Sequence, residues 1–157
     1  MGVKVWERLP EVAGVRADGQ PFTLGERPPG PLVLFFFPKA FAPMCTQEAC
    51  GFRDAQPALS AHGARLIGVS RDPPEALARF AAQYELAYPL VSDESGALAR
   101  AFGVELFGGH IARTQRRTFV VDAAGVVCAV IEGMFDPKLH VREALATIAE
   151  LHTAAKE

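Results

Sequence analysis

The chain has 157 residues, with 16 lysines and arginines against 18 aspartates and glutamates, a formal charge of −2. Half of the chain is apolar and 22% is charged, so one folded, water-soluble domain spanning residues 1–157 is expected. Near-neutral charge with scattered basic residues argues against nucleic acid or an anionic membrane as the main partner, and the dense apolar run Leu32 to Phe37 falls far short of the about 20 residues a spanning helix needs.

The N-terminus, MGVKVWERLPEV, has neither the apolar stretch nor the cleavage site of a secretory signal. Three cysteines, an odd count, do not make a disulfide-stapled secreted scaffold, so a cytoplasmic, reducing setting is expected. VRADGQPFTL (15–24) predicts a small leading hairpin, and ERPPGP (26–31) a loop rather than a domain boundary. PLVLFFFP (31–38), dense and closed by proline, predicts a strand buried on both faces. Residues 44–62 have helical character, with Pro57 expected to break or restart the helix. ARLIGVS (64–70) is a second buried strand. Asp72 is placed to cap the next helix, with Pro73 and Pro74 in its first turn and Leu77, Phe80, Ala81 and Tyr84 at helical spacing.

YPLVSD (88–93) gives a third strand, and SGALARAFG (95–103) a short helix ended by Gly103. RTFVVDAAGVVCAVIEG (117–133) predicts a hairpin turning at Asp122 to Gly125. DPKLHVREALATIAELH (136–152) is the closing helix, with Asp136 as N-cap and Pro137 at the first position. The order β-α-β-α-β-α-β-β-α implies an α/β fold: a mixed central sheet, helices on both faces, and an antiparallel hairpin at one side. Periodicity alone leaves a thioredoxin-type sandwich and a short doubly wound sheet both open.

PKAFAPMCTQEAC (38–50) follows the first buried strand directly and opens a helix. In open α/β sheets, reactive groups gather where strand carboxyl ends meet helix N-termini. Cys45 falls in or just before the first turn, where unpaired N–H groups and the helix dipole favour thiolate over thiol. Full ionisation at neutral pH raises the nucleophile by only roughly 30-fold. Efficient chemistry therefore also needs donors fixed around the atoms that change charge.

Cys50 lies five residues on. In an intact helix such a pair has Cα atoms about 8.5 Å apart, pointing roughly 140° apart, whereas a disulfide tolerates at most about 7 Å. A Cys45–Cys50 bond thus requires the first turn or two to unwind, and Thr46, Gln47 and Gly51 are modest helix formers. Two unlinked thiols, one on a core face, is the alternative left open. A metal site lacks ligands, since His62, His110, His140 and His152 form no second pair at suitable spacing. Cys128, flanked by valines, is expected to pack in the core rather than to link with Cys45 or Cys50.

FFFPKAFAPMCTQEACGFRD resembles the active-site segment of the peroxiredoxins, specifically the bacterioferritin-comigratory or Q-type subfamily. The likeness continues in order through LIGVSRDPPEALARFAAQYELAYPLVSDESGALARAFGV and RRTFVVDAAGVV. This resemblance implies a thioredoxin-like fold with extra elements, here the N-terminal hairpin. It implies reduction of hydrogen peroxide and organic hydroperoxides with no metal or bound cofactor, by a monomer. Cys45 then corresponds to the peroxidatic cysteine, which becomes a sulfenic acid. Cys50 corresponds to the resolving cysteine, whose intramolecular disulfide with Cys45 is reduced by thioredoxin or a similar dithiol. Pro38 corresponds to the proline that shields the thiolate side of the pocket. Arg116 corresponds to the arginine that holds thiolate and peroxide by charge-assisted hydrogen bonds, and Glu48 to a carboxylate that orients it.

Arg113 and Arg117 compete for the arginine role by a shift of register but are expected to be strand-edge charges. Glu48 equally suits a carboxylate placed against the helix dipole. His110 receives no role. One departure stands out: where the family carries threonine three residues before the peroxidatic cysteine, this chain has Ala42, a lost donor expected to slow the reaction by about 10²- to 10³-fold. Thr46 offers a nearby hydroxyl, and Met44, where glycine is frequent, makes the pocket mouth more apolar and suits bulkier hydroperoxides. Two other functions fit the same cysteines. A thiol–disulfide oxidoreductase is disfavoured by the missing C-x-x-C. A redox-responsive holdase would uncover Phe41 and Phe52 on oxidation.

Overall fold

A computed structural model of the chain describes residues 4–24, 30–107 and 113–156. His110 and residues 26–29 of the expected Pro/Gly loop lie outside the described residues. The leading hairpin forms as expected, β1 (Val12–Arg16) pairing antiparallel with β2 (Pro21–Leu24). The apolar run becomes β3 (Leu32–Phe36), followed by α1 (Pro43–Ala61), β4 (Arg65–Ser70), α2 (Pro74–Gln83), β5 (Leu90–Ser92) and α3 (Ala97–Phe102). Two short strands, β6 (Leu106–Phe107) and β7 (Arg113–Thr114), pair with each other. The second hairpin, β8 (Arg117–Val121) and β9 (Val127–Glu132), leads to α4 (Pro137–Lys156).

Seven strands form one mixed sheet in the order β2-β1-β5-β4-β3-β8-β9. β3 and β4 are parallel, as are β4 and β5, because α1 and α2 carry the chain back across the sheet. β3 pairs antiparallel with β8 on its other side. Alternation along β3 divides the core. Val33, Phe35 and Phe37 face one layer with Phe52 of α1, Leu77 and Phe80 of α2, and Ala144 and Ile148 of α4. Leu32, Leu34 and Phe36 face the other with Leu98 and Phe102 of α3 and Phe119 of β8. Helices thus cover both faces of a thioredoxin-like α/β sheet. Among the described residues no helix is long and apolar enough to cross a membrane.

Two expectations are corrected. Pro57 does not break α1, which runs through it. The missing N–H costs the helix about 3 kcal/mol locally, but Phe52 and Leu59 on either side are fully buried, and each such side chain contributes about 1.5–3 kcal/mol. Asp72 does not cap α2, whose N-cap is Pro73 without a side-chain bond; its carboxylate turns toward the loop before α1. The β6–β7 pair is an element that no periodicity announced, its strands being two residues each. Asp136 meets its expected role, accepting the Leu139 N–H at 3.2 Å, and Gly103 ends α3 at φ 72°.

Candidate active site

The loop from Pro38 to Ala42 joins the carboxyl end of β3 to the N-terminus of α1. Pro38 is buried in it, directly after Phe37. Phe41 holds a left-handed φ of 72°, an unfavourable conformation for a residue with a side chain. Its ring packs edge-on against Phe80 with centroids 5.1 Å apart, and the loop is tied a second time by Asp72. Asp72 Oδ2 accepts the Ala40 N–H at 2.9 Å and the Ser70 hydroxyl at 2.7 Å. The carboxylate that local rules assign to a helix cap instead fixes the turn that aims α1.

α1 then presents Cys45 in its first turn, only 1% exposed. β8 lies antiparallel to β3 with Arg117 opposite Phe36, so Arg116 emerges beside the same loop. The Arg116 guanidinium donates from Nη2 to Cys45 Sγ at 3.5 Å and from Nη1 to Glu48 Oε1 at 2.6 Å. It is held from behind by Met134: Nε donates to the carbonyl at 2.8 Å, and the backbone N–H reaches Sδ at 3.4 Å. Arg116 is 3% and Glu48 0% exposed. Their ion pair is therefore internal, and Glu48 is not a carboxylate on the helix surface. Arg117 instead bridges Glu132 at 3.3 Å, and Arg113 lies in β7, so neither competitor takes the site.

The electrostatics differ from the sequence expectation. Burial pushes the Cys45 thiol up, the largest influence upon it, and the Glu48 charge acts in the same direction. The Lys39 backbone N–H and the Arg116 charge pull it down. Glu48 is itself pushed up to about 8 by burial, against the pull of Arg116. Two buried acids share one cation, so a proton retained near Glu48 leaves more of the Arg116 field to Cys45.

Cys50 is half-buried on the same unbroken helix, and Cys45, Cys50 and Cys128 are all free thiols. The turn that must unwind for Cys50 to reach Cys45 is anchored by Tyr88, whose hydroxyl donates to the Ala49 carbonyl at 2.7 Å. Phe52 adds a stack on Phe35 at 4.5 Å between centroids. Cys128 is half-buried on β9, with Sγ 3.5 Å from the Val126 carbonyl, rather than deep in the core. Thr46 does not bond Cys45, its buried hydroxyl having no hydrogen-bond partner among the described residues. Among the described residues no group of three or more histidine, cysteine or acidic side chains could hold a metal.

A sequence profile of the AhpC/TSA family matches residues 5–130. The chain belongs to that family. Its relatives place it among the peroxiredoxins of Q, or bacterioferritin-comigratory, type. A Mycobacterium tuberculosis protein named as a peroxiredoxin is 40% identical over 125 residues, covering 79% of this chain and 81% of its own. The chloroplastic peroxiredoxin Q of Populus jackii is 35% identical over 85% of this chain and 62% of that one. A crystal structure of a Mycobacterium tuberculosis peroxidoxin superposes with a TM-score of 0.88 at 36% identity, covering 95% and 98% of the two chains. The Xanthomonas campestris bacterioferritin comigratory protein, described for alkyl peroxide reduction, gives 0.79 at 28% identity over 90% and 92%. As a peroxiredoxin this chain is a thiol-dependent peroxidase.

Ala42 is the N-cap of α1 in this peroxiredoxin and supplies no side-chain bond there. Ala42→Thr is expected to stabilise the helix start by about 1 kcal/mol and to accelerate the peroxide step by up to about 10²-fold. Stopped-flow oxidation of the reduced protein measures the rate, and an unchanged rate would show that a different donor already fills the role. Sequence reasoning passed over Asp72 and Tyr88 as site supports. It also gave no role to His140, although His140, Ala144 and Ile148 fall at i, i+4 and i+8 and are all fully buried.

Proposed function

We propose that this peroxiredoxin reduces hydroperoxides through Cys45, with Cys50 resolving the oxidised product within the same chain. The observation that carries the reading is the buried Arg116 fork, which touches Cys45 Sγ and Glu48 together at the N-terminus of α1. The Cys45 thiolate attacks one peroxide oxygen, and the S–O bond forms as the O–O bond breaks. Hydroxide or alkoxide leaves and takes up a proton, so the peroxide is reduced and Cys45 becomes a sulfenic acid. Cys50 attacks that sulfur, water leaves, and a disulfide forms once the first turns of α1 unwind. Thioredoxin or a similar dithiol then returns both thiols at its own expense.

Every group in this sequence belongs to one chain, so a monomer in a reducing cytoplasm suffices. Phe41 at 40% exposure and Met44 on the active-site segment support apolar, bulkier hydroperoxides as substrates. The same exposure weakens the holdase alternative as first framed, because Phe41 is already at the surface and only Phe52 remains to be uncovered.

The test is oxidation of the reduced protein by hydrogen peroxide and by an alkyl hydroperoxide, with mass spectrometry of the 45–50 linkage. Cys50→Ser is expected to leave the first turnover within about twofold, since Cys50 contributes nothing to the first attack. It should lower thioredoxin-driven steady-state turnover by at least about 10²-fold. Full steady-state turnover in Cys50→Ser would assign resolution to another thiol.

A further inference from the structure

Behind the Arg116–Glu48 pair lies a histidine that the peroxide chemistry above does not use. His140, in the first turn of α4, is 0% exposed. Its Nε2 is 2.9 Å from the Gly133 carbonyl. A carbonyl can only accept, so Nε2 carries the proton and, in the neutral ring, Nδ1 is a bare lone pair. The Thr118 hydroxyl, 2.8 Å from Nδ1, donates to it. Glu48 Oε2 also lies near Nδ1, at 3.8 Å and beyond hydrogen-bond range, and that oxygen is buried without a hydrogen-bond partner among the described residues.

Two acceptors therefore face each other in a dry interior. Such an arrangement is unfavourable unless one of the two is protonated. A proton on Oε2 relieves that conflict, and so does a proton on Nδ1, with the Thr118 hydroxyl turning to accept it. In either case the pair is electrically neutral as a unit, and the Arg116 charge is left to Cys45.

We propose that His140 is a positioning residue for the peroxidatic step: its Nδ1 lone pair, held beside Glu48 Oε2, disfavours the bare carboxylate, keeps one proton on the pair and so reserves the Arg116 charge for the Cys45 thiolate. The proposal rests on Cys45 as the peroxidatic cysteine. The charged and titratable groups acting on His140 are Glu48 from α1, Arg116 and Arg117 at the start of β8, and Asp136 before α4. The two arginines and burial oppose an imidazolium, while Asp136 and the Gly133 carbonyl favour it. With Glu48 pushed up to about 8, the pair holds its proton at neutral pH chiefly on the carboxyl side.

The test reads the titration of Cys45 directly, by the pH dependence of iodoacetamide alkylation, with Cys50 and Cys128 replaced by serine. His140→Gln places an amide donor beside Glu48, stabilises the bare carboxylate and ties it to Arg116. The Cys45 midpoint should then rise by about one pH unit, a tenfold loss of thiolate below it. In a Glu48→Gln background, where no carboxylate competes for Arg116, His140→Gln should move the midpoint no further. Thr118→Val, which removes only the hydroxyl donating to Nδ1, makes the imidazole more basic and should lower the midpoint. Loosened packing would move both single variants the same way. An unchanged midpoint in folded His140→Gln, an equal shift in the Glu48→Gln background, or an upward shift in Thr118→Val each overturns the proposal. Peroxide turnover that persists in Cys45→Ser overturns the peroxidatic assignment instead, and the alkylation midpoints report separately on the proton pair.

Discussion

Cys45→Ser is expected to eliminate peroxide consumption, lowering it by at least about 10⁴-fold while leaving the fold intact. Serine is nearly the same size, and its hydroxyl can still accept from Arg116, so thermal unfolding should stay within a few degrees. What disappears is the ionisable sulfur. A hydroxyl has no accessible anion at neutral pH, and the Arg116 fork cannot supply one without a base to remove the proton. Neither remaining cysteine can stand in. Cys50 projects from another side of an intact α1, and the Cys128 thiol on β9 is pushed up by burial and by the Asp122 charge beside it. Loss of peroxide followed directly, with a thioredoxin system and in single turnover, measures the effect. Consumption at the unmodified rate would remove Cys45 from the chemistry.

The legible part of this site was written in contiguous sequence. Cys45 and Cys50 share the segment that closes β3 and opens α1, and Glu48 is one helical turn beyond Cys45. Arg116 precedes a β-branched strand whose pairing with β3 brings it back to the same point. Residues whose roles depend on what packs behind them were not legible in this way. Asp72 satisfies the local pattern of a helix cap, yet its carboxylate bonds Ala40 across 32 residues of chain. Pro57 obeys the local rule for a helix breaker and is overruled by the buried side chains on either side.

The state of the Cys45 thiol shows the same division. The helix dipole that favours its anion is a local effect, whereas the burial that opposes it comes from the assembled core. His140 sat in plain view at core spacing, but only the fold shows that its ring faces a carboxylate oxygen and not an aliphatic neighbour.

Arg116 is where those local and assembled effects meet, and Arg116→Leu is expected to cost catalysis about 10³-fold or more at neutral pH. Two buried acids would then have no cation. Glu48 would keep its proton, and the Cys45 thiol, already pushed up by burial, would move further up. The rate of the variant should therefore climb about tenfold per pH unit into the alkaline range, long after the unmodified protein has levelled off. Stability should change with pH in a defined direction. The folded pKa of Glu48 lies above its unfolded value, so the native state binds that proton more tightly. The resulting stabilisation is complete at acid pH and fades as pH rises from about 4.5 toward 8.

Without Arg116 the fading continues further, since the bare carboxylate has no partner. Breaking a buried pair in this way costs about 3–5 kcal/mol when the remaining charge persists. The gap in denaturant midpoint between Arg116→Leu and the unmodified protein should accordingly be small at pH 6 and widen by pH 9. Arg116→Lys separates charge from geometry. An ammonium restores the field but cannot fork between Cys45 and Glu48, so it should recover the stability at pH 9 more fully than the peroxide rate. Equal recovery of both would mean that the site needs only a positive charge at this position, and that the two-pronged contact with sulfur and carboxylate contributes nothing to the attack.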